Sequence, residues 1–189
     1  MTIKVEIKQD EDPISPREDF AGACLGRMYC WHPRYNLGDK KPDGYTPEDF
    51  EKEYDGDNSL MLPLVLLDHS GITIRVGNEF SCDPGSWDTS KVGWIVVRND
   101  KVMKEYGTFQ KDTALKCLRA EVEVYDRYLT GDVYGYVITR TTVCKHCKQK
   151  KEEVVDSCWG FYGTDVKKNG MLENIPKKYR KALEEASTR

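Results

Sequence analysis

The stretch DTALKCLRAEVEVYDRYL, residues 112–129, decides the fold class. Its apolar residues recur every three or four positions, which places them in one stripe along a helix. The stripe consists of Leu115, Leu118, Val122, Tyr125 and Leu129. Asp112 or Thr113 can cap the beginning of this helix, and Gly131 can end it. A long helix with a single apolar face predicts a sheet against which that face packs.

Segments with strand character surround this helix. Strands are expected at residues 3–7, 23–31, 60–68, 72–76 and 92–98. The segment 92–98 is almost continuously apolar, which is typical of a central strand. After the helix, residues 133–143 and 153–162 predict a long β-hairpin, and residues 175–186 predict a terminal amphipathic helix. We therefore expect an α+β fold: a twisted, mainly antiparallel sheet with the helix at about 112–129 packed on one face.

A chain of 189 residues fits one domain, and we expect residues 1–189 to form it. We expect an acidic insertion of loop and short helix at about 37–58. Thr46 can cap that helix, and Pro47 suits its first position. A basic hairpin tip is expected at about 144–151.

Composition and motifs argue against several classes of protein. The longest apolar run, residues 60–67, is far shorter than a membrane helix, and the first residues do not resemble a secretory signal. We expect a soluble intracellular protein. The seven cysteines are an odd number, which favours free thiols or metal ligands over a disulfide set. The chain has no Walker A, dinucleotide-binding, HExxH or GxSxG motif.

Charge is distributed unevenly along the chain. Residues 1–70 carry 15 acidic and 8 basic side chains, whereas residues 101–189 carry 13 acidic and 18 basic ones. This asymmetry predicts an acidic face and a basic face, which suit a basic protein surface and a nucleic acid respectively. Ordinary solvated helices and loops are the alternative.

The segment MYCWHPRYNLGD, residues 28–39, collects polar side chains after a strand. His32 can act as general acid or base, Arg34 can hold a phosphate, and Asp39 can orient the histidine or bind a metal. Asp68 and His69 form a second candidate pair. They cannot form a triad with the next residue, because strand neighbours point to opposite faces. For residues 28–39 the alternative is a structured corner with Trp31 and Tyr35 packed inward. For His69 the alternative is a satisfied histidine in a tight turn.

Cys144 and Cys147 lie two residues apart at the expected hairpin tip, as in a zinc knuckle. Cys158 on the returning arm is the candidate third ligand, although it lies far along that arm. An exposed, reduced tip is the alternative. The same tip carries Lys145, Lys148, Lys150 and Lys151, and aromatic residues follow on both arms. These residues can grip a phosphate backbone and stack on bases, or can simply be solvated.

Two further segments are candidate binding sites. Trp87 lies in the turn-rich loop 81–90, where it is either a lid on the core or an exposed anchor for a partner. Asp55 and Asp57 belong to the acidic segment, which can gather Mg²⁺ for a nuclease or mimic nucleic-acid phosphate. A solvated loop explains them equally well.

Six ordered segments resemble a family of small, largely uncharacterised proteins encoded by bacteriophages and prophages. They are SPRED, HPRYNLGD, LLDHSGITI, WDTSKVGWI, YDRYLTGDVYGYVI and DSCWGFYG. The resemblance extends over about residues 9–163. Proteins of this kind include anti-CRISPR and other counter-defence factors, so it implies activity against host defence. It implies no catalytic residue.

These observations leave three functions open. The leading hypothesis is a phage accessory protein that inhibits host defence by docking on a Cas nuclease or its guide RNA. The second is a nuclease for RNA or DNA that uses the His, Arg and Asp residues above, with Mg²⁺ as a cofactor. The third is a zinc-stabilised nucleic-acid-binding module. The oligomeric state is not predicted.

Overall fold

The structure is a computed structural model that describes residues 1–19, 22–39, 44–54, 56 and 58–188. Its strands are β1 Thr2–Gln9, β2 Arg27–Cys30, β3 Ser59–Asp68, β4 Ile72–Val76, β5 Thr89–Arg98, β6 Val133–Val143 and β7 Lys150–Tyr162. Its helices are α1 Pro16–Asp19, α2 Pro47–Tyr54, α3 Asn99–Tyr106, α4 Lys111–Leu129, α5 Met171–Asn174 and α6 Arg180–Ser187.

The chain divides into two compact units. One consists of residues 1–14 and 131–189, and the other of residues 15–130. The first unit contains a three-stranded sheet of order β1-β6-β7, and the second a four-stranded sheet of order β2-β5-β3-β4. All neighbouring strands are antiparallel. The α+β class is confirmed, but the strands form two sheets in place of the single one expected. The single-domain organisation stays a prediction.

Helix α4 packs across one face of the four-stranded sheet, as its apolar stripe predicts. Leu118 and Val122 are buried in one cluster with Leu64 of β3 and Ile95 of β5. Complete burial of a side chain of this size contributes roughly 1.5–3 kcal/mol relative to an exposed position. Strand β5 is central, between β2 and β3, as its continuous apolar run indicates.

The other face of this sheet is covered by the short helix α2. Thr46 caps it as expected, because its Oγ1 accepts the Asp49 N–H at 3.1 Å. Phe50 of α2 stacks on Trp94 of β5 and packs edge-on against Trp31, with ring centroids 5.8 Å and 5.2 Å apart. A sheet with apolar side chains on both faces therefore has a helix on each side.

The C-terminal helices cover one face of the three-stranded sheet. Ile138 and Phe161 of the sheet form a buried cluster with Met171, Ile175 and Leu183. The sequence predicts a terminal helix from residue 175, but the helix begins at Arg180, because Ile175 and Pro176 are extended. A residue before proline is disfavoured in the helical region, so Pro176 separates α5 from the segment that leads into α6.

Strands β6 and β7 form the long hairpin predicted from the sequence. Val143 pairs with Lys150 at the tip, and Tyr136 pairs with Cys158 much nearer the base. All residues from 142 to 154 are exposed, so the distal part of the hairpin stands in solvent. Across the described ranges, each helix is too short or too polar to cross a membrane.

Candidate functional site

Three of the predicted catalytic residues meet where strand β3 ends. The Arg34 guanidinium forms an ion pair with the Asp68 carboxylate, and the Tyr35 hydroxyl donates to Asp68 Oδ1 at 3.3 Å. His32 lies next to them, with its ring stacked on Tyr35 at a centroid distance of 4.9 Å. The two segments that the sequence singled out separately, 32–35 and 68–69, therefore form one corner.

The hydrogen bonds of His32 give it a structural role in this corner. Its Nδ1 accepts the backbone N–H groups of Arg34 at 3.3 Å and Tyr35 at 3.1 Å. An accepting Nδ1 places the proton of the neutral ring on Nε2, so this imidazole has no free acceptor for a substrate proton. Partial burial and the Arg34 charge lower the pKa of His32 below its ordinary value. The geometry favours a turn-stabilising histidine over a general base.

His69 is directed differently from its neighbour Asp68. Its Nδ1 lies 2.7 Å from Asp88 Oδ2, and both side chains are exposed. A carboxylate that binds Nδ1–H leaves Nε2 as the free acceptor, which is the orientation of a histidine acting as a base. Such a base also needs a nucleophile or a metal-bound water. Among the described residues, no three carboxylate, histidine or cysteine side chains cluster to hold a metal.

Asp39 does not join this corner, although the sequence places it among the catalytic candidates. Its carboxylate accepts Arg17 Nε–H at 2.9 Å and the Met28 N–H at 2.6 Å. The Arg17 side chain is only 3% exposed and also bonds Glu121 at 3.0 Å. Asp39 thus belongs to a buried ion cluster, where its oxygens are occupied by structural donors.

This buried cluster joins four stretches of the chain, at residues 17, 25–28, 39 and 121. Besides its two carboxylates, the Arg17 guanidinium donates to the Gly26 carbonyl at 2.8 Å, and Glu121 accepts the Leu25 N–H at 2.5 Å. Burial alone would lower the pKa of Arg17, but the hydrogen bond and charge of Asp39 outweigh it and raise the pKa. Sequence reasoning missed both Arg17 and Glu121. The sequence does contain an indication of Glu121, because this charged residue lies three positions after Leu118, on the apolar face of α4.

A rigid loop lies beside His69 and presents Trp87. The Asp83 carboxylate accepts the N–H groups of Trp87 at 3.1 Å and Asp88 at 3.0 Å, and the Thr89 hydroxyl at 2.8 Å. These donors, the Thr89 hydroxyl foremost, lower the pKa of Asp83 below its ordinary value. One ionised side chain therefore fixes the whole turn from residue 83 to residue 89.

Trp87 is 90% exposed, so the alternative of a lid on the core is wrong. Its indole lies directly over Gly85, where a β-carbon would collide with it. The adjacent residue, Asp88, binds His69. A large aromatic surface is thus held in solvent on a loop whose backbone is fixed. This is the arrangement expected of an anchor residue that inserts into a partner.

The basic hairpin tip belongs to the other unit. Lys145, Lys148, Lys150 and Lys151 are all exposed there. The aromatic residues of the arms are not their neighbours, because Tyr136 lies seven residues from Val143 and its partner Cys158 lies eight residues from Lys150. At about 3.3 Å per residue that separation is roughly 23 Å. The structure does not bring the lysines and the arm aromatics into one nucleic-acid-binding surface.

The same register separates the three cysteines proposed as zinc ligands. Cys144 and Cys147 are exposed at the tip, whereas Cys158 is half-buried near the base of the hairpin. The Cys144 sulfur accepts the backbone N–H and the thiol of Cys147 and the backbone N–H of His146, which lower the pKa of Cys144. Cys158 therefore cannot complete a site with the two tip cysteines.

Asp55 and Asp57, the acidic binding candidates, lie outside the described residues. Comparison with family models found no match to this chain. Comparisons with curated proteins and with solved structures likewise found none. The resemblance to phage-encoded proteins stays a prediction.

Proposed function

We propose that this protein is a non-enzymatic inhibitor of phage origin that acts in the host cytoplasm. It docks on a component of bacterial defence, a Cas nuclease with its guide RNA, and uses Trp87 as its anchor. The observation that carries the proposal is the exposed indole on a loop fixed by Asp83. A solvent-exposed tryptophan lowers the solubility of a protein. A rigid loop reduces the entropy that is lost when a partner buries that tryptophan.

Two sequence features support the choice of partner. The six segments that resemble phage-encoded proteins suggest a role against host defence. The excess of acidic residues in the first third of the chain suits the basic surface with which nucleases hold nucleic acid. Helix α2 carries part of this excess, since Glu48, Asp49 and Glu53 are exposed on it.

The direct test is the affinity of purified protein for a purified Cas nuclease loaded with guide RNA. We expect Trp87→Ala to weaken binding by at least about 30-fold, because a central tryptophan anchor contributes about 2 kcal/mol or more. Met103→Ala is the matched control, since Met103 is 48% exposed on α3 in the same unit. Equal affinities of the two variants and the parent protein would contradict the role of Trp87.

The second candidate function is a nuclease, and the His69–Asp88 pair is the observation that favours it. His69 would then act as base through Nε2, and Trp87 on the same loop would stack on a nucleobase. Incubation of the protein with labelled guide RNA, with and without the Cas protein and Mg²⁺, distinguishes the two functions. A nuclease cuts the RNA and loses this activity in His69→Ala, whereas the inhibitor leaves the RNA intact throughout.

A further inference from the structure

The tip of the β6–β7 hairpin has the backbone of a metal-binding knuckle. The Cys144 N–H donates to the Gln149 carbonyl at 2.9 Å, and the Lys148 N–H donates to the Cys144 carbonyl at 3.0 Å. Lys148 has a φ of 60°, which turns the chain back immediately after Cys147. The tight turn therefore brings both thiols together at the outermost point of the hairpin.

Two thiols are half of a ligand set. A structural zinc site with cysteine ligands is tetrahedral and closed by four protein ligands at about 2.3 Å for each sulfur. Cys158 is too far along β7 to contribute, and no three candidate ligands cluster within the described part of the chain. His146 lies between the two cysteines in the sequence, where it is poorly placed to join a metal that both of them bind. The missing ligands have to come from another molecule.

We propose that Cys144 and Cys147 form half of a tetrahedral Zn²⁺ site that a second copy of this chain completes with its own two cysteines. The residues from 142 to 154 are all exposed, so two tips can approach each other without obstruction. A two-fold axis through the metal makes the two halves equivalent, which is the common symmetry of homodimers. Each thiol releases its proton to solvent as it binds the metal.

The charges of the tip explain why the metal would be required. A zinc ion with four thiolates carries two negative charges, and the exposed Lys145, Lys148, Lys150 and Lys151 of both copies surround them. These lysines stabilise the anionic centre once it has formed. Without metal, the same lysines repel one another across the two tips and oppose association. Dimerisation is therefore switched by the metal and does not depend on a preformed apolar interface.

The test is to titrate the metal-free full-length protein, kept reduced, with Co²⁺ and with Zn²⁺. We expect the visible bands of tetrahedral thiolate-bound Co²⁺ to saturate at one ion per two chains, and the mass measured by light scattering to double at the same point. A chelator should restore the monomer. Saturation at one ion per chain in a monomer would overturn the proposal, and so would the absence of any change in mass.

Cysteine variants complete the experiment. Cys144→Ser should abolish both the bands and the dimer, while Cys82→Ser, which removes an exposed cysteine elsewhere, should change neither. Without metal, the thermal unfolding of Cys144→Ser should match that of the parent, because the tip is exposed. A dimer that disappears on addition of reductant alone is a disulfide dimer and contradicts the metal site. The outcome is independent of Trp87 and so of the proposed inhibitory function.

Discussion

The Arg17 side chain is a buried charged group of the four-stranded unit. It is 3% exposed and joins Asp39, Glu121 and the Gly26 carbonyl. Removing one partner of a buried ion pair leaves the other charges without compensation in a low-dielectric interior. The two carboxylates would then have to take up protons, or water would have to enter the interior and solvate them.

We predict that Arg17→Met lowers the free energy of unfolding by about 3–5 kcal/mol, the usual cost of breaking a buried pair. Urea denaturation followed by circular dichroism measures this change. Arg98→Ala is the control, because Arg98 and Asp100 form a 3.7 Å pair with side chains 67% and 71% exposed. An exposed pair contributes at most about 1 kcal/mol. Similar losses in the two variants would refute a structural role for the buried cluster.

At His32 the prediction concerns pH. The folded protein holds the pKa of His32 below its ordinary value, so the unfolded chain binds a proton more readily. The contribution of His32 to stability is therefore complete above the unfolded pKa of about 6.5 and is lost as the pH falls through the lower folded pKa. His32→Asn keeps an acceptor for the turn N–H groups but does not titrate. We expect its unfolding midpoint to fall less than that of the parent between about pH 7 and pH 5.

At the scale of elements, the approach of β2 to β5 requires Gly93. A β-carbon at this position would collide with the carbonyl oxygen of Tyr29 on the neighbouring strand. Because that atom belongs to the backbone of a paired strand, it cannot move without breaking the ladder between the two strands. We expect Gly93→Ala to lower the free energy of unfolding by about 1–3 kcal/mol or more.

Gly22→Ala serves as the matched substitution, since nothing lies within 4 Å of a β-carbon there. We expect its free energy of unfolding to remain within about 0.5 kcal/mol of that of the parent. Thermal unfolding of the two variants under the same conditions measures the difference. If both alanine variants unfold at the same temperature as the parent, the close packing of β2 on β5 is incorrect.

The elements differ in how far the sequence determines them. Helix α4 is predictable to within a residue because five apolar positions and a terminal glycine all indicate it. The terminal helix is not, since its amphipathic pattern continues across Pro176 while the backbone does not. The division of the strands into two sheets also escapes prediction. Pairing of β1 with β6 joins residues more than 120 positions apart, and no local pattern specifies that pairing.

In the candidate site, too, the sequence predicts some features of the side chains and not others. Residue type alone indicates His32, Arg34 and Asp68 as candidates, and the structure brings them together. Their roles depend on hydrogen bonds that residue type does not reveal, as the accepting Nδ1 of His32 illustrates. Asp39 has the same chemistry as Asp68 but accepts hydrogen bonds from a buried arginine. Tertiary contacts decide between a functional and a structural carboxylate.

At the scale of the whole molecule, the proposed activity is a stoichiometric one. An inhibitor that docks through Trp87 occupies its target one to one, whereas a nuclease destroys many targets in turn. The two mechanisms also depend on different side chains of the same loop region, Trp87 for docking and His69 for catalysis. A single titration can therefore separate them.

The decisive measurement is DNA cleavage by a fixed amount of guide-loaded Cas nuclease as the protein is added in increasing amounts. The proposed mechanism predicts that cleavage stops at about one protein per nuclease complex. It also predicts that Trp87→Ala shifts the curve to at least about 30-fold higher concentration and that His69→Ala leaves it unchanged. Inhibition at far less than one protein per complex that is lost in His69→Ala, or full cleavage at every concentration, would contradict it.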